Sequence, residues 1–136
     1  MESFEIYAQN HDFDRMEYIF KLDKYSYYMM NILDYLIGNT DRHWGNWGFL
    51  VDNQTNIPIR LYDLMDFNKA FQSYDTIEGA RCLTSETIKT QKEAAIEAVK
   101  AIGLNQLHEV SAEWFADTKR REMFLKRLNL LKTVRV

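Results

Sequence analysis

Between Asp23 and Gly38 the apolar residues Tyr27, Met30, Ile32, Leu33, Leu36 and Ile37 recur every three or four positions, the spacing that lines up one face of an α-helix. Asp23 is placed to cap that helix and Gly38 to stop it. Tyr28, Met29 and Tyr35 widen the apolar face beyond one stripe. A helix that is apolar on most sides has to be surrounded by other elements, so the core is expected to form around it and the fold class to be mainly α. Taken one at a time, each of these residues is a core residue and nothing more.

The segment after this helix speaks to function. Residues Gly38 to Phe49 read GNTDRHWGNWGF, in which Asp41, His43 and Asn46 form Asp-x-His-x-x-Asn. Trp47 to Val51 is strand-like, Asp52 to Asn56 is rich in turn formers, and Ile57 to Leu64 is strand-like again with Pro58 at its start, where a strand tolerates proline. These runs are expected to pair as a hairpin. Its closure would bring Asp66, beyond the second strand, back towards Asn46, just before the first. An Asp and an Asn five positions apart on a loop, with a second Asp after a hairpin, can hold a hydroxyl nucleophile beside a Mg²⁺-bound phosphate.

Over about residues 20–75 this order of helix, loop, hairpin and Asp66-Phe67-Asn68 resembles the catalytic loop and metal-binding segment of HipA-like serine/threonine kinases. The string Asp41-Arg42-His43-x-x-Asn46 is also similar to that of phosphatidylinositol kinases, distant relatives within the protein-kinase-like fold. The resemblance implies a helical C-lobe with one β-hairpin carrying the catalytic and metal-binding loops. It further implies transfer of a phosphoryl group from ATP to a protein Ser/Thr hydroxyl, with Mg²⁺ as cofactor. Asp41 would accept or orient the proton of the attacking hydroxyl, while Asn46 and Asp66 would hold Mg²⁺, and with it the nucleotide, through oxygen atoms suited to a hard cation.

His43 would touch the phosphates or, the reading favoured here, brace the loop as a neutral imidazole. Asn39 and Asp63 read first as turn or capping residues and second as ligands. Trp44 and Trp47 would cover the site and join the core. Phe71 to Thr84 lacks periodicity and falls where the resemblance puts the activation loop.

Departures from the kinase pattern bear on what the chain can do. It has no Gly-x-Gly-x-x-Gly loop, no P-loop and no Val-Ala-x-Lys-like strand to clamp phosphates. His-Arg does not precede Asp41, and Asn68 stands where a protein kinase has the Gly of Asp-Phe-Gly. A bilobal kinase of two ~100–150-residue lobes needs roughly twice the 136 residues here. The expectation is therefore a single domain, residues 1–136, that is inactive without an N-lobe. That lobe or another protein is the expected partner.

Two other readings compete with this one. A non-catalytic regulatory or partner-binding module, such as one in a toxin–antitoxin pair, would keep the lobe without the chemistry. A lipid-kinase-like phosphotransferase is weakened by the absence of basic clusters for anionic membranes. A net charge of −3 disfavours nucleic acid as a partner. One cysteine, Cys82, and no apolar run of about 18 residues make the cytoplasm the default compartment, with no membrane partner. Self-association through an exposed apolar face is expected, because 46% of the residues are hydrophobic. His11, His43 and His108 are dispersed and lack zinc-ligand spacing.

Elsewhere, Ser3 to Ala8 has helical spacing, and Asn10-His11-Asp12 could cap a helix over Phe13 to Lys21. Ser85-Glu86-Thr87-Ile88 is expected to open a helix with the stripe Ala94, Ala95, Ala98, Val99 and Ile102, ending at Gly103. Leu104 to Val110 reads as a short helical piece. A basic-tailed helix is expected from Ser111, with Trp114, Phe115, Phe124, Leu125, Leu128 and Leu131 as core candidates.

Overall fold

The structure, a computed structural model, describes residues 2–3, 15–43, 45–55, 57–62, 70–71, 74–85, 87–105, 115 and 117–135. In chain order its elements are β1 (Glu2–Ser3), α1 (Arg15–Ile37), β2 (Gly48–Val51), β3 (Pro58–Leu61), α2 (Gln91–Ile102) and α3 (Thr118–Lys132). The fold is mainly helical, with one antiparallel sheet in the order β1-β2-β3.

The long helix is interrupted at Asp23, whose φ of −163° and ψ of 64° are not helical. Its carboxylate accounts for the break. One oxygen accepts the Ser26 N–H at 3.2 Å and so caps the second half of α1, as its position in the sequence suggests. The other accepts the Leu61 N–H at 3.0 Å, fastening β3 to the kink. A single side chain thus sets both the direction of the central helix and the place of the hairpin.

The hairpin forms as its sequence requires. Phe49 pairs with Leu61 and Leu50 with Arg60, with an irregularity before Val51 meets Pro58. At the turn, Asp52 accepts the N–H groups of Gln54 and Thr55 at 2.9 and 3.0 Å. Beyond β3, the Tyr62 N–H donates to the Gly48 carbonyl at 2.8 Å, so the outgoing chain lies beside the start of β2.

Among the described residues two clusters make up the core, and α1 contributes to both. Ile19, Tyr27 and Met30 pack with Trp47, Phe49 and Leu61 of the hairpin. Ile32, Tyr35 and Leu36 pack against Ala95, Ala98 and Val99 of α2 and Phe124 and Leu131 of α3. Small residues on α2 let it approach α1 closely. At about 2–3 kcal/mol for each large apolar side chain fully buried, these two clusters are the main stabilisation of the domain.

Several boundaries differ from the sequence reading. Ser3 is in a strand, not a helix: Glu2 and Ser3 pair with Phe49 and Gly48, and a sheet edge offering backbone partners overrides local helical spacing. Residues 4–14 lie outside the described residues, and with them the expected cap at residues 10–12. The second helix starts at Gln91 instead of Ser85. Thr90 and Glu93 form a reciprocal capping box, with Thr90 Oγ1 accepting the Glu93 N–H at 3.2 Å and Glu93 accepting the Thr90 N–H at 3.1 Å. Ser85 has Ile88 where such a box needs Glu, and Ile88 is 83% exposed. Gly103 ends the helix with φ 75°, as expected.

The third helix begins at Thr118, capped by Asp117, which accepts the N–H groups of Lys119 and Arg120. The expected start at residues 111–114 lies outside the described residues, as does the short helical piece expected over 104–110 beyond Leu104 and Asn105, which form a bend and a turn. The phase of α3 turns Phe124, Arg127 and Leu131 inward and leaves Leu125, expected in the core, 39% exposed.

Candidate functional site

Gly38 ends α1 with φ 63°, a left-handed conformation that glycine adopts without strain, and a Cβ there would run into the Tyr74 ring. The chain then doubles back. The Asn39 N–H bonds to the Asp34 carbonyl at 2.9 Å and the Asn39 side-chain amide donates to Asp34 Oδ1 at 3.1 Å. Asn39 is 1% exposed and faces the interior, so its role is that of a turn residue. Its Oδ1 has no hydrogen-bond partner among the described residues.

Asp41, His43 and Asn46 come together in the turn that follows. Asn46 is the staple. Its Nδ2 donates to the Asp41 carbonyl at 2.5 Å, its Oδ1 accepts the His43 N–H at 3.0 Å, and its own N–H donates to the His43 carbonyl at 3.3 Å. An amide oxygen has two lone pairs, and the bond from His43 uses one of them. His43 is exposed, and its Nδ1 accepts the Gly45 N–H at 3.0 Å, a contact that braces the loop backbone. Asp41 is half-buried at the surface of the turn.

Beneath the turn lies a buried ion pair that the sequence reading missed. Arg42 Nε donates to Asp34 Oδ2 at 3.0 Å and an Nη to Asp34 Oδ1 at 3.2 Å, with the two residues 4% and 5% exposed. The remaining Nη donates to the Asn46 carbonyl at 3.2 Å. Burial pushes the Asp34 carboxyl above its usual range against the downward pull of Arg42. Gln91 on α2 joins from the other side. Its Nε2 donates to the Asn39 carbonyl at 2.7 Å and its Oε1 accepts the Ala80 N–H at 3.1 Å, tying the turn to the segment after residue 74. An Asp inside an otherwise apolar stripe, with an Arg eight positions on, was the signal for this pair.

Trp47 is buried in the hairpin core, as expected. Trp44, Asp63 and Asp66 lie outside the described residues. Among the described residues no group of three His, Cys, Asp or Glu side chains could hold a metal ion. The second lone pair of Asn46 Oδ1 is a hard oxygen donor of the kind Mg²⁺ prefers, one of the several oxygens such an ion needs. No helix among the described residues is long and apolar enough to cross a membrane. Comparison with protein-family models, curated proteins and solved structures found no match to this chain.

Proposed function

We propose that this chain is the helical C-lobe of a HipA-like kinase and handles a Mg²⁺-bound nucleotide at the Asp41–Asn46 turn. The observation that carries this reading is the turn itself. It follows a buried helix, its Asp and Asn are bonded to each other, and the hairpin behind it sends the chain out at Tyr62 beside Gly48, two residues from Asn46. Asp66 is four residues further on, within a reach of about 14 Å for an extended chain.

Phosphoryl transfer asks little covalent chemistry of the protein, so fixed oxygens suffice. The Asp41 carboxylate accepts the proton of a protein Ser/Thr hydroxyl as that oxygen attacks the terminal phosphoryl group. Asn46 and Asp66 would supply oxygens to the cation, and Asn46 also holds the Asp41 backbone in place. Mg²⁺, when bound, neutralises charge on the phosphates. These 136 residues hold no glycine-rich loop and no Val-Ala-x-Lys-like strand to clamp phosphates, so on this reading the chain alone binds nucleotide weakly and does not turn it over.

A partner-binding module without chemistry is the second reading. One observation favours it: both ends of the Asn46 amide are already bonded inside the loop. Titrating the chain with Mg²⁺ and ATP by NMR separates the two. The kinase reading expects weak, Mg²⁺-dependent shifts centred on residues 41–46 and lost in Asp66→Ala. Shifts that are absent, or unchanged in that variant, favour the module.

A further inference from the structure

We infer that Arg42 is the positioning residue of this turn, setting Asn46 and Asp41 relative to the central helix. The inference rests on the reading of the turn as a phosphoryl-transfer site. Arg42 lies between Asp41 and His43 in sequence, yet its side chain points away from solvent. Its guanidinium reaches both oxygens of Asp34 and the carbonyl of Asn46 at once, at 3.0, 3.2 and 3.2 Å. Because the guanidinium is planar and rigid, three bonds from one plane fix the Asn46 backbone with respect to α1.

Asp34 is itself held. It sits on the most buried stretch of α1 and accepts the Asn39 amide, while the Asn39 carbonyl is bonded to Gln91 of α2. The start and the end of the turn are thus referenced to α1 and α2, two of the three helices that carry the second core cluster. Asn46 then passes the placement on to Asp41 through its side-chain bond.

Stability gives little reason to bury this ion pair, since a neutral pair of similar size serves about as well. Geometry gives a better one. Lysine could neutralise Asp34, but a single ammonium cannot span both Asp34 and Asn46 in the same arrangement. The guanidinium of Arg42 is engaged with Asp34 and the Asn46 carbonyl, so its effect on a bound cation would be exerted through Asn46.

The test compares the full chain with Asp34→Asn/Arg42→Gln and with Arg42→Lys. The double variant removes both buried charges and so restores the stability that a single change would lose, while Arg42→Lys keeps a cation beside Asp34. Each is measured for thermal stability, amide hydrogen exchange at His43 and Asn46, and Mn²⁺ affinity by relaxation enhancement. A positioning role gives faster exchange at both amides and Mn²⁺ affinity lowered about tenfold or more in both variants, even where the melting temperature matches the parent chain. Parental exchange and affinity in a double variant of restored stability would overturn the inference. If the parent chain itself binds no Mn²⁺ at the turn, the kinase reading fails, and the exchange rates alone decide whether Arg42 positions the loop.

Discussion

The side-chain amide of Asn46 donates to the main-chain carbonyl of Asp41 at 2.5 Å, so the two residues proposed for chemistry are fixed to each other before any ligand arrives. Asn46→Ala removes that bond and the one from His43, leaving polar backbone groups unpaired in a partly buried turn. We expect a loss of about 1–3 kcal/mol in urea denaturation. A loss near zero would mean that water or neighbouring groups replace Asn46 without cost.

Arg127 ties α3 to the rest of the domain. It is fully buried, donates to the carbonyls of Tyr35 and Thr76, and lies over the rings of Tyr35 and Tyr74 at 4.8 and 4.3 Å. Arg127→Ala opens a cavity and strands both carbonyls, so it should cost about 3 kcal/mol or more in the same assay. Arg127→Met fills the space and sheds the desolvated charge, and should cost less.

Gly38→Ala places a side chain in a left-handed conformation and drives its Cβ into the Tyr74 ring, which donates its hydroxyl to the Leu36 carbonyl. Backbone strain alone amounts to about 1–2 kcal/mol. The Tyr74 contact should raise the measured loss above that, and Tyr74→Ala in the same background should recover part of it.

The strength of local signals explains which parts of this fold could be read from the sequence. Asp23 as a cap, Gly38 and Gly103 as stops and the hairpin around Asp52 all depend on residues within a turn or two of each other, and each stands where expected. Thr90 was passed over because Ser85 looked like a cap five residues earlier, although only Thr90 has Glu at the third position. Arg127 and Gln91 could not be read at all, since Arg127 bonds to backbone carbonyls 92 and 51 residues away and Gln91 to one 52 residues away. At the candidate site the turn was legible and its support was not: Asp41, His43 and Asn46 follow a pattern, whereas Arg42 resembles any surface arginine until Asp34 is seen beneath it.

Two carboxyls should be shifted in opposite directions from the usual range. Two backbone N–H bonds from Thr55 and Gln54 hold Asp52 below the usual carboxylate range, so its contribution to stability is present above the unfolded value and lost as pH falls through the folded one. Asp34 is raised by burial. The folded state therefore keeps its proton more readily than the unfolded chain, and its contribution declines as pH rises from the unfolded value to the folded one. Carboxyl ¹³C titration should show Asp52 ionising first, and the reverse order would contradict both assignments.

At alkaline pH, Tyr27 and Tyr35 should resist ionisation, because burial raises each from 10.0 to about 12. The neutral phenols favour the folded state, so stability should fall as pH climbs between those two values. Absorbance titration showing every tyrosine ionising near 10 would contradict the packing described for α1.

The kinase proposal makes the turn from Asp41 to Asn46 a cation and phosphate site. The most direct measurement is paramagnetic line broadening of the full chain by substoichiometric Mn²⁺ with ATP. The account predicts selective loss of backbone signals from residues 41–46, relieved by excess Mg²⁺ and absent in Asn46→Ala. Broadening spread over exposed acidic residues such as Glu93 and Glu97, with the turn unaffected, would contradict it.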